Sequence, residues 1–511
     1  MMVARYWQSW NSRKTSTAAL AAFALGTLIG FGSESRTAQA QYAGAEPVDE
    51  AVRVGFETIT EESSEKILKT LVGQGFDGRG TGQEGFVRAA HYVAGKLAEY
   101  GFQPIGDSGT YFQNVPFRQL SADVAASSVK VGDLELRGRG QIGFVRTGGS
   151  HRVEGEVIVI RATGAAAQIE RGASLSGKIV VLVTPQRNPA LELQALGAEA
   201  AGIIRLSSSP QNVPSLLRAG QPALGPTQPV VEVISSSQDE LAAALGLDAQ
   251  LLTPLDQDGM VMFESDASAV IDLKSLENEA MVPNVVGWLP GSDPTVADEY
   301  VVIGAHLDHL GFQNGELFPG ADDNASGSTA ILQIARALHE NPEKPRRGVL
   351  YIAFAAEELG LIGSRYYTDN PILPLDKCVC MLNIDMIGRN EETAEEPASD
   401  NEDTIHLVGT MQLSKALHAE VLEANKHVGF VFEYDEERVY RRSDHFSFAR
   451  NGIPSSFLFG GFNPYYHQTT DTLEGINYSK IANCARLYYL VIYRAGVHGR
   501  YPLDAEEVPG R

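Results

Sequence analysis

Residues 349–358 read Val-Leu-Tyr-Ile-Ala-Phe-Ala-Ala-Glu-Glu, an apolar run that ends in two carboxylates. A short uninterrupted apolar run is typical of a strand buried on both faces. Three similar runs lie in the same half of the chain, at Tyr300–Gly304, Val379–Ile384 and Ser455–Phe459. Helical patterns separate them, notably over Ser326–Leu338 and Ser414–Asn425. Strands that alternate with helices predict an α/β fold with a mixed, mostly parallel sheet flanked by helices.

The sequence on the N-terminal side of this region changes character twice. Residues 41–55 have the composition of a loose leader, whereas residues 61–71 and 86–100 have helical spacing, with Gly101 ending the second helix. Residues 121–275 are poor in histidine and carry short β-like runs such as Val157–Ile160 and Ile179–Val183. We therefore expect a smaller β-rich domain at 121–275, inserted in a discontinuous domain that consists of residues 55–120 and 276–505.

Composition excludes several classes of protein. The 511 residues carry 41 Lys and Arg against 64 Asp and Glu, a net charge of −23. This charge repels phosphate, so we expect no binding of nucleic acid or of anionic membranes. Three cysteines, Cys378, Cys380 and Cys484, are too few for a disulfide scaffold or a cysteine-only zinc site, and we expect them to be buried.

The N-terminus has the pattern of an export signal. Basic residues precede an apolar run from Ala18 to Phe31, and Ala38-Gln39-Ala40 provides the small residues that signal peptidase requires. The alternative is a membrane anchor, but the run is shorter than the about 20 residues that span a bilayer. We therefore predict cleavage after Ala40, no stable membrane anchor afterwards, and a secreted or periplasmic location.

Histidines and carboxylates cluster at the predicted strand ends. In an open α/β sheet, ligands bind beyond the carboxyl ends of the strands, so these side chains should converge. The residues concerned are His306 and Asp308, Asp322 and Asp323, Glu357 and Glu358, Asp385, and His467. Each alone has an ordinary explanation: Asp322 and Asp471 could cap helices, and Glu357-Glu358 could be a solvated pair. Their joint placement favours a shared site, while for His309, Asp444 and His445 a structural role is the better interpretation.

Carboxylates and imidazoles that lie close together require a neutralising cation. Mixed His and carboxylate ligands without thiolate suit zinc, and less often manganese or cobalt. Two zinc ions bridged by one carboxylate would need two histidines, two terminal carboxylates and the bridge. The sequence supplies these five residues and one spare glutamate.

The motifs that carry these residues resemble those of the two-zinc aminopeptidases, metallopeptidase family twenty-eight. The resemblance rests on five stretches within residues 280–480, and it extends to residues 75–115, while residues 121–275 are similar to a protease-associated domain. The five stretches are His306-Leu307-Asp308, Gly320-Ala321-Asp322-Asp323-Asn324-Ala325-Ser326-Gly327, Ala356-Glu357-Glu358-Leu359-Gly360, Asn383-Ile384-Asp385-Met386 and His467-Gln468-Thr469-Thr470-Asp471-Thr472.

The resemblance implies a zinc exopeptidase-like fold and a role for each residue. Asp323 would bridge two zinc ions, His306 and Asp385 would complete one site, and Glu358 and His467 the other. Glu357 would be the general base, and Asp308 would orient His306. The resemblance also implies a cis peptide bond between Asp323 and Asn324, and it leaves Tyr440 and Tyr466 as alternatives for stabilising the oxyanion.

The expected activity is removal of N-terminal residues from peptides. The acidic loop at 391–403 is most simply a solvated loop, although it could attract a positively charged amino terminus. Three other functions stay open: a single-zinc glutaminyl-peptide cyclase, a carboxypeptidase, and a non-catalytic receptor-like protein on the same fold. The sequence does not predict the oligomeric state.

Overall fold

The computed structural model describes residues 41–146, 149–164, 167–169, 174–186, 188–208, 210, 215–218, 228–313, 316–394, 396–495 and 499–504. The predicted signal peptide at 1–40 lies outside the described residues. In the described part of the chain, no helix is long and apolar enough to cross a bilayer.

The strands of the described residues are numbered in chain order. They are β1 (Gln103–Pro104), β2 (Phe112–Ala122), β3 (Ser128–Val131), β4 (Leu134–Arg137), β5 (Ile142–Arg146), β6 (His151–Thr163), β7 (Ile179–Val183), β8 (Gly202–Ser207), β9 (Ser215–Arg218), β10 (Val230–Ile234), β11 (Gly259–Leu273), β12 (Ser275–Leu289), β13 (Tyr300–His306), β14 (Gly311–Gln313), β15 (Glu316–Phe318), β16 (Gly348–Phe354), β17 (Cys378–Asp385), β18 (Thr404–Val408), β19 (Val431–Glu433) and β20 (Ser455–Phe459).

The α-helices are numbered in the same way. They are α1 (Glu50–Thr58), α2 (Glu61–Leu71), α3 (Glu84–Glu99), α4 (Pro189–Gly197), α5 (Gln238–Ala244), α6 (Gly327–Glu340), α7 (Ile362–Asp369), α8 (Thr410–Leu413), α9 (Lys415–Asn425), α10 (His445–Ala449) and α11 (Tyr478–Arg494).

The main sheet has the strand order β19-β18-β20-β17-β13-β16-β12-β2-β9, with β1 paired to β12. The four strands β16, β13, β17 and β20 are mutually parallel, and so are β18 and β19. The remaining pairings are antiparallel. The predicted α/β fold with a mixed sheet is confirmed, and the continuous parallel part is its centre.

The parallel centre is buried on both faces, which explains its unbroken apolar sequences. Every residue of β13, β16, β17 and β20 is buried. Along β13, Val301 and Ile303 belong to the core shared with α6 and α11, whereas Tyr300 and Val302 belong to the opposite core shared with α7 and α10. Helices on both faces therefore hold the strand ends in fixed positions.

A second sheet comprises strands from within residues 128–273, in the order β4-β3-β11-β6-β7-β8-β10-β5. It has its own apolar cores, one of them formed around Val159, Val181 and Ile204. The long strands β2 and β12 pair with each other next to this region, and β9 extends the main sheet from within it. The division into a catalytic domain and an inserted domain stays a prediction.

The predicted loose leader at 41–55 is wrong. Helix α1 begins at Glu50, and Val48, Val52 and Phe56 are buried in the main core. Upstream of the helix, Tyr42 packs edge-on against Phe430, with ring centroids 5.0 Å apart. The sequence pattern did not reveal this helix because its buried apolar positions, Val48, Val52 and Phe56, are few and overlap the end of the predicted leader.

Candidate metal centre

The fold brings the predicted ligands to one edge of the main sheet. Because β13, β16, β17 and β20 are parallel neighbours, their carboxyl ends lie side by side. His306 and Asp385 are the last residues of β13 and β17, Glu357 and Glu358 follow β16, His467 follows β20, and Asp323 precedes α6.

One group of ligand atoms surrounds His306. Its Nε2 lies 3.1 Å from Oδ1 of Asp385 and 3.4 Å from Oδ1 of Asp323. Although burial opposes its charged form, the carboxylates of Asp385 and Glu357 raise the pKa of His306 well above the usual value. This small pocket therefore attracts positive charge.

A second group of ligand atoms shares Asp323 with the first. Nε2 of His467 lies 3.1 Å from Oδ2 of Asp323 and 3.1 Å from Oε2 of Glu358. Burial opposes the charged imidazole, but these hydrogen bonds raise the pKa of His467 to about 10. The two oxygens of Asp323 thus face different histidines, which is the geometry of a bridging carboxylate.

The turn that carries Asp323 is fixed by its backbone contacts. The peptide bond between Asp323 and Asn324 is cis, which confirms the expectation drawn from the resemblance. Asp471 accepts hydrogen bonds from the backbone N–H groups of Asp322 and Asp323, and the Asn324 side chain donates to the carbonyl of Ile384.

The two helix-cap interpretations are wrong. Asp322 accepts hydrogen bonds through its carboxylate from the backbone of Gly388 and the side chain of Asn463, so it ties loops together beneath the site. Asp471 forms a buried ion pair with Arg389 at 3.2 Å. Neither carboxylate caps the helix proposed for it, because each is occupied by these tertiary contacts.

The expected role of Asp308 needs a correction. Nδ1 of His306 lies 3.0 Å from the backbone oxygen of Asp308 and 3.8 Å from its carboxylate. The carboxylate instead accepts hydrogen bonds from Thr81 Oγ1 and from the backbone N–H of Glu357. Asp308 therefore orients His306 through its main chain and joins the Glu357 segment through its side chain.

The two adjacent glutamates differ in their electrostatics. Burial raises the pKa of Glu357 well above its usual value, despite the opposing effect of His306. Glu358 is buried too, but hydrogen bonds to His309 and His467 hold its pKa far below the usual range. Glu357 is thus suited to take up a proton, whereas Glu358 is suited to remain an anionic ligand.

His309 was assigned a structural role from the sequence, yet it lies in the second group. Its Nδ1 is 2.8 Å from Oε1 of Glu358 and 3.7 Å from Oδ2 of Asp323. Its ligand atom and those of Asp323, Glu358 and His467 lie within 4.8 Å of one another. The only available signal was its position next to Asp308, three residues after His306. Asp444 and His445 are fully buried beside the site and do not line the cleft.

A small open cleft lies above both groups. Above the candidate ligands its walls are largely apolar, with Arg442, Ser443 and Tyr466 as polar members among Val439, Met386, Phe457, Phe459 and Phe462. Tyr466 stacks on His467 with ring centroids 3.9 Å apart and accepts a hydrogen bond from Arg442. Among the described residues Tyr440 does not line the cleft, because its ring packs against His445 and Phe446.

The residues present fit two divalent zinc ions. Imidazole nitrogens and carboxylate oxygens without thiolate are a zinc donor set, and each group offers at least three ligand atoms. Asp323 belongs to both groups, so its position suits the carboxylate that two neighbouring ions would share. Buried carboxylates at this density would otherwise repel one another.

Comparison with known proteins agrees with this geometry. Residues 284–492 match the model of Peptidase family M28. All five predicted ligands and Glu357 lie inside the matched range.

Curated relatives match part of their own length. Aminopeptidase YwaD of Bacillus subtilis is 29% identical over 236 residues, which cover 44% of this chain and 47% of that protein. Leupeptin-inactivating enzyme 1 of Streptomyces exfoliatus is 32% identical over 218 residues, 38% of this chain and 44% of that protein. The matches thus span about half of these relatives.

Solved structures resemble a larger part of the chain. BSAP, a zinc aminopeptidase from Bacillus subtilis, superposes with a TM-score of 0.55 at 19% identity, covering 85% of this chain and 95% of its own. A Peptidase M28 precursor from Shewanella amazonensis gives 0.52 at 20% identity, covering 89% and 98%. At these identities the likeness concerns the fold.

Proposed function

We propose that this protein is a zinc-dependent aminopeptidase that hydrolyses the peptide bond after an N-terminal residue. The observation that carries the proposal is the pair of ligand groups joined by Asp323 beneath an apolar cleft, with Glu357 beside them. The matched family and the aminopeptidases among the relatives favour the same activity.

The ligand assignment is as follows. His306 and Asp385 would hold one zinc ion, Glu358 and His467 would hold the other, and both would share Asp323, giving two zinc ions per chain at this centre. When bound, the ions supply Lewis acidity and an acidified water at neutral pH.

Glu357 is the general base. Its carboxyl oxygen lies 4.0 Å from Nε2 of His306, and its side chain faces the cleft. A carboxyl group whose pKa is raised by burial can take a proton from the attacking water near neutral pH and later give it to the leaving amine. The backbone N–H of Glu357, held by Asp308, keeps the side chain in place.

Tyr466 is the better of the two tyrosine candidates for stabilising the oxyanion. It lines the cleft beside His467, and burial together with the nearby carboxylates raises its pKa, so its hydroxyl keeps the proton that it would donate to an oxyanion. Tyr440 is 5% exposed and packs behind the cleft wall, so we assign it a supporting role there.

The cleft also suggests which substrates fit. Phe457, Phe459 and Phe462 offer apolar contacts to an uncharged side chain, and the carboxylates below favour a positively charged amino terminus. Arg442 faces the same cleft and is the one feature that favours a carboxypeptidase, which binds a free carboxylate. Peptides blocked at either end separate the two activities.

The remaining parts of the proposal concern location and architecture. We propose that residues 1–40 are a signal peptide and that the mature protein is secreted or periplasmic. We propose further that residues 121–275 are a protease-associated domain.

The decisive experiment compares substitutions of the two neighbouring glutamates, Glu357 and Glu358. Glu357→Gln should retain both zinc ions and lose activity by a factor of about 10³ or more on aminoacyl reporters, since general acid–base catalysis contributes about 10²–10⁴-fold. Glu358→Ala should instead lose zinc, measured by elemental analysis. Glu402→Gln, in an exposed loop, is the control. Full activity of Glu357→Gln would contradict the assignment, and one zinc per loaded wild-type chain would favour the cyclase-like alternative.

A further inference from the structure

A second cluster of ligand-type side chains lies at the edge of the main sheet. His406 is on β18, Glu433 is the last residue of β19, and Glu391 is in the loop after β17. His406 and Glu433 are direct partners across the parallel pair β18–β19. We call Glu391, His406 and Glu433 the edge cluster; it shares no residue with the proposed zinc ligands.

The edge cluster has the same arrangement as the His467 group. Nε2 of His406 lies 3.1 Å from Oε2 of Glu391 and 3.5 Å from Oε2 of Glu433. Nε2 of His467 similarly faces one oxygen of each of two carboxylates, at 3.1 Å and 3.1 Å. All three ligand atoms of the edge cluster lie within 4.8 Å of one another.

Hydrogen bonding alone does not satisfy this arrangement. His406 is 1% exposed and Glu391 is 7% exposed. The Nε2–H of an imidazole is a single donor, and Glu391 accepts from it. Oε2 of Glu433 is shielded from solvent and has no hydrogen-bond partner among the described residues. The Nε2–H that lies nearest to this oxygen already donates to Glu391. A buried carboxylate oxygen without a donor costs free energy unless a cation binds between the oxygen and the imidazole.

The charge balance of the edge cluster also favours a bound cation. Nδ1 of His406 lies 3.2 Å from Oδ1 of the exposed Asp435 without a hydrogen bond between them, so three carboxylates lie near one imidazole. A protonated imidazole would leave a net charge of about −2, whereas a divalent cation with neutral imidazole would leave about −1. With the cation, the Nδ1–H can be directed at Asp435, the partner arrangement that metal-bound histidines usually have.

We propose that the edge cluster is a further metal site, for a divalent transition ion such as zinc or manganese. The ligands are Oε2 of Glu391, Nε2 of His406 and Oε2 of Glu433, a mixed nitrogen and oxygen set without thiolate. Asp435 is the positioning residue for His406. The proposal does not depend on the proposed peptidase activity.

The site would connect the sheet edge to the wall of the cleft. Oε1 of Glu391 accepts a hydrogen bond from the backbone N–H of Phe462 at 3.4 Å. The ring of His406 lies 5.8 Å from that of Phe459, and both phenylalanines line the cleft. An ion that holds Glu391 therefore stabilises the backbone that presents the apolar wall.

The test counts metal ions. The full-length mature protein is dialysed against a buffered free zinc concentration, in parallel with Glu433→Gln and His406→Gln, and metal per chain is measured by elemental analysis. We expect each variant to hold one equivalent less than the wild type. Glu402→Gln, an exposed acid close in sequence, is the matched control and should hold the wild-type number.

Two further measurements make the result unambiguous. Asp435→Asn should weaken binding of the additional ion by about 10–100-fold in a zinc titration, as expected for a partner that orients a ligand. Near-ultraviolet circular dichroism checks that each variant is folded. Equal metal content in folded Glu433→Gln and wild-type protein would overturn the proposal, and so would a variant that lost ions from the catalytic groups only. Because the readout is a difference in ion number, it stands even if the peptidase assignment fails.

Discussion

At the scale of the residue, the fully buried Arg79 connects the loops of the candidate site. Its guanidinium donates hydrogen bonds to the backbone carbonyls of Leu71, Leu307, Pro319 and Gly320. Two of these acceptors flank the segments that carry His306 and Asp323. The stretch Gly78-Arg79-Gly80-Thr81-Gly82 thus anchors ligand-bearing loops, and the Thr81 side chain also donates a hydrogen bond to Asp308.

His445 gives a prediction about pH. It is buried and stacked on Phe457 at 4.5 Å, and burial lowers its pKa to about 3. In the unfolded chain a histidine has a pKa of about 6.5. Between these values only the unfolded state binds the proton, so this residue lowers stability as the pH falls from about 6.5 towards 3.

Replacing His445 with Phe removes that proton. The free energy of unfolding of His445→Phe should therefore fall less steeply with decreasing pH, by up to about 1.4 kcal/mol per pH unit. Urea unfolding of both proteins at several values between pH 4 and pH 6, with the metal content held equal, measures the difference. Parallel pH dependences would show that His445 is protonated in the fold.

At the scale of the element, the junction between β16 and α7 determines where the two glutamates lie. Asn284 on β12 accepts a hydrogen bond from Ala355 N–H and donates to Gly363 O, so it closes the loop that carries Glu357 and Glu358. A Cβ on Gly363 would lie 2.2 Å from the carbonyl oxygen of Ala355. Helix α7 can approach the strand end this closely only because residue 363 is glycine.

Two glycine-to-alanine variants test this packing. Gly363→Ala should destabilise the protein by about 1–3 kcal/mol and reduce activity, because α7 must move away from the strand. Gly95→Ala in α3, where a Cβ meets nothing within 4 Å, should instead stabilise it by about 0.5–1 kcal/mol. Chemical denaturation measures both, and an unaffected Gly363→Ala would mean that the junction is loosely packed.

At the scale of the whole molecule, buried negative charge couples metal binding to stability. The chain carries a net charge of −23, and Asp323, Glu357, Glu358 and Asp385 are concentrated at one edge of the main sheet. Burial and the nearby Glu358 raise the pKa of Asp323. Cations that bind the folded state and not the unfolded chain should therefore stabilise the fold.

Removal of the metal ions should lower Tm. A ligand present at 1,000 times its Kd contributes about 4 kcal/mol, so scanning calorimetry with and without a chelator should give a clear difference that added zinc reverses. Glu357→Gln should keep this response, whereas Asp323→Asn should lose most of it because both groups share that residue. A Tm that does not depend on the chelator would contradict a metal centre.

Much of the fold could be predicted because local patterns decide it. The apolar runs at 179–183 and 455–459 and the helical pattern at 61–71 coincide with β7, β20 and α2. The predicted core strand at Val349–Phe354 differs from β16 by one residue. These segments are long, periodic or uniformly apolar, so intrinsic propensity and burial favour the same secondary structure.

Only part of the candidate site could be predicted from the sequence. Residues at strand ends could be placed together because the carboxyl ends of parallel strands meet. The contacts of His309, Asp308, Asp322 and Asp471 could not, because each depends on which partner lies across a loop. The edge cluster joins a loop to the edge strand β19 and its neighbour β18, and no spacing in the sequence brings Glu391, His406 and Glu433 together.

The sequence by itself determined the class of fold, the order of the central strands along the chain and the chemical types of the ligands. Only the tertiary structure decided which oxygen of Asp323 faces which histidine, that a backbone carbonyl holds His306, and which tyrosine lines the cleft. The physical reason is range: strand and helix formation depends on neighbours a few residues apart, whereas a ligand geometry depends on side chains that packing brings together from distant parts of the chain.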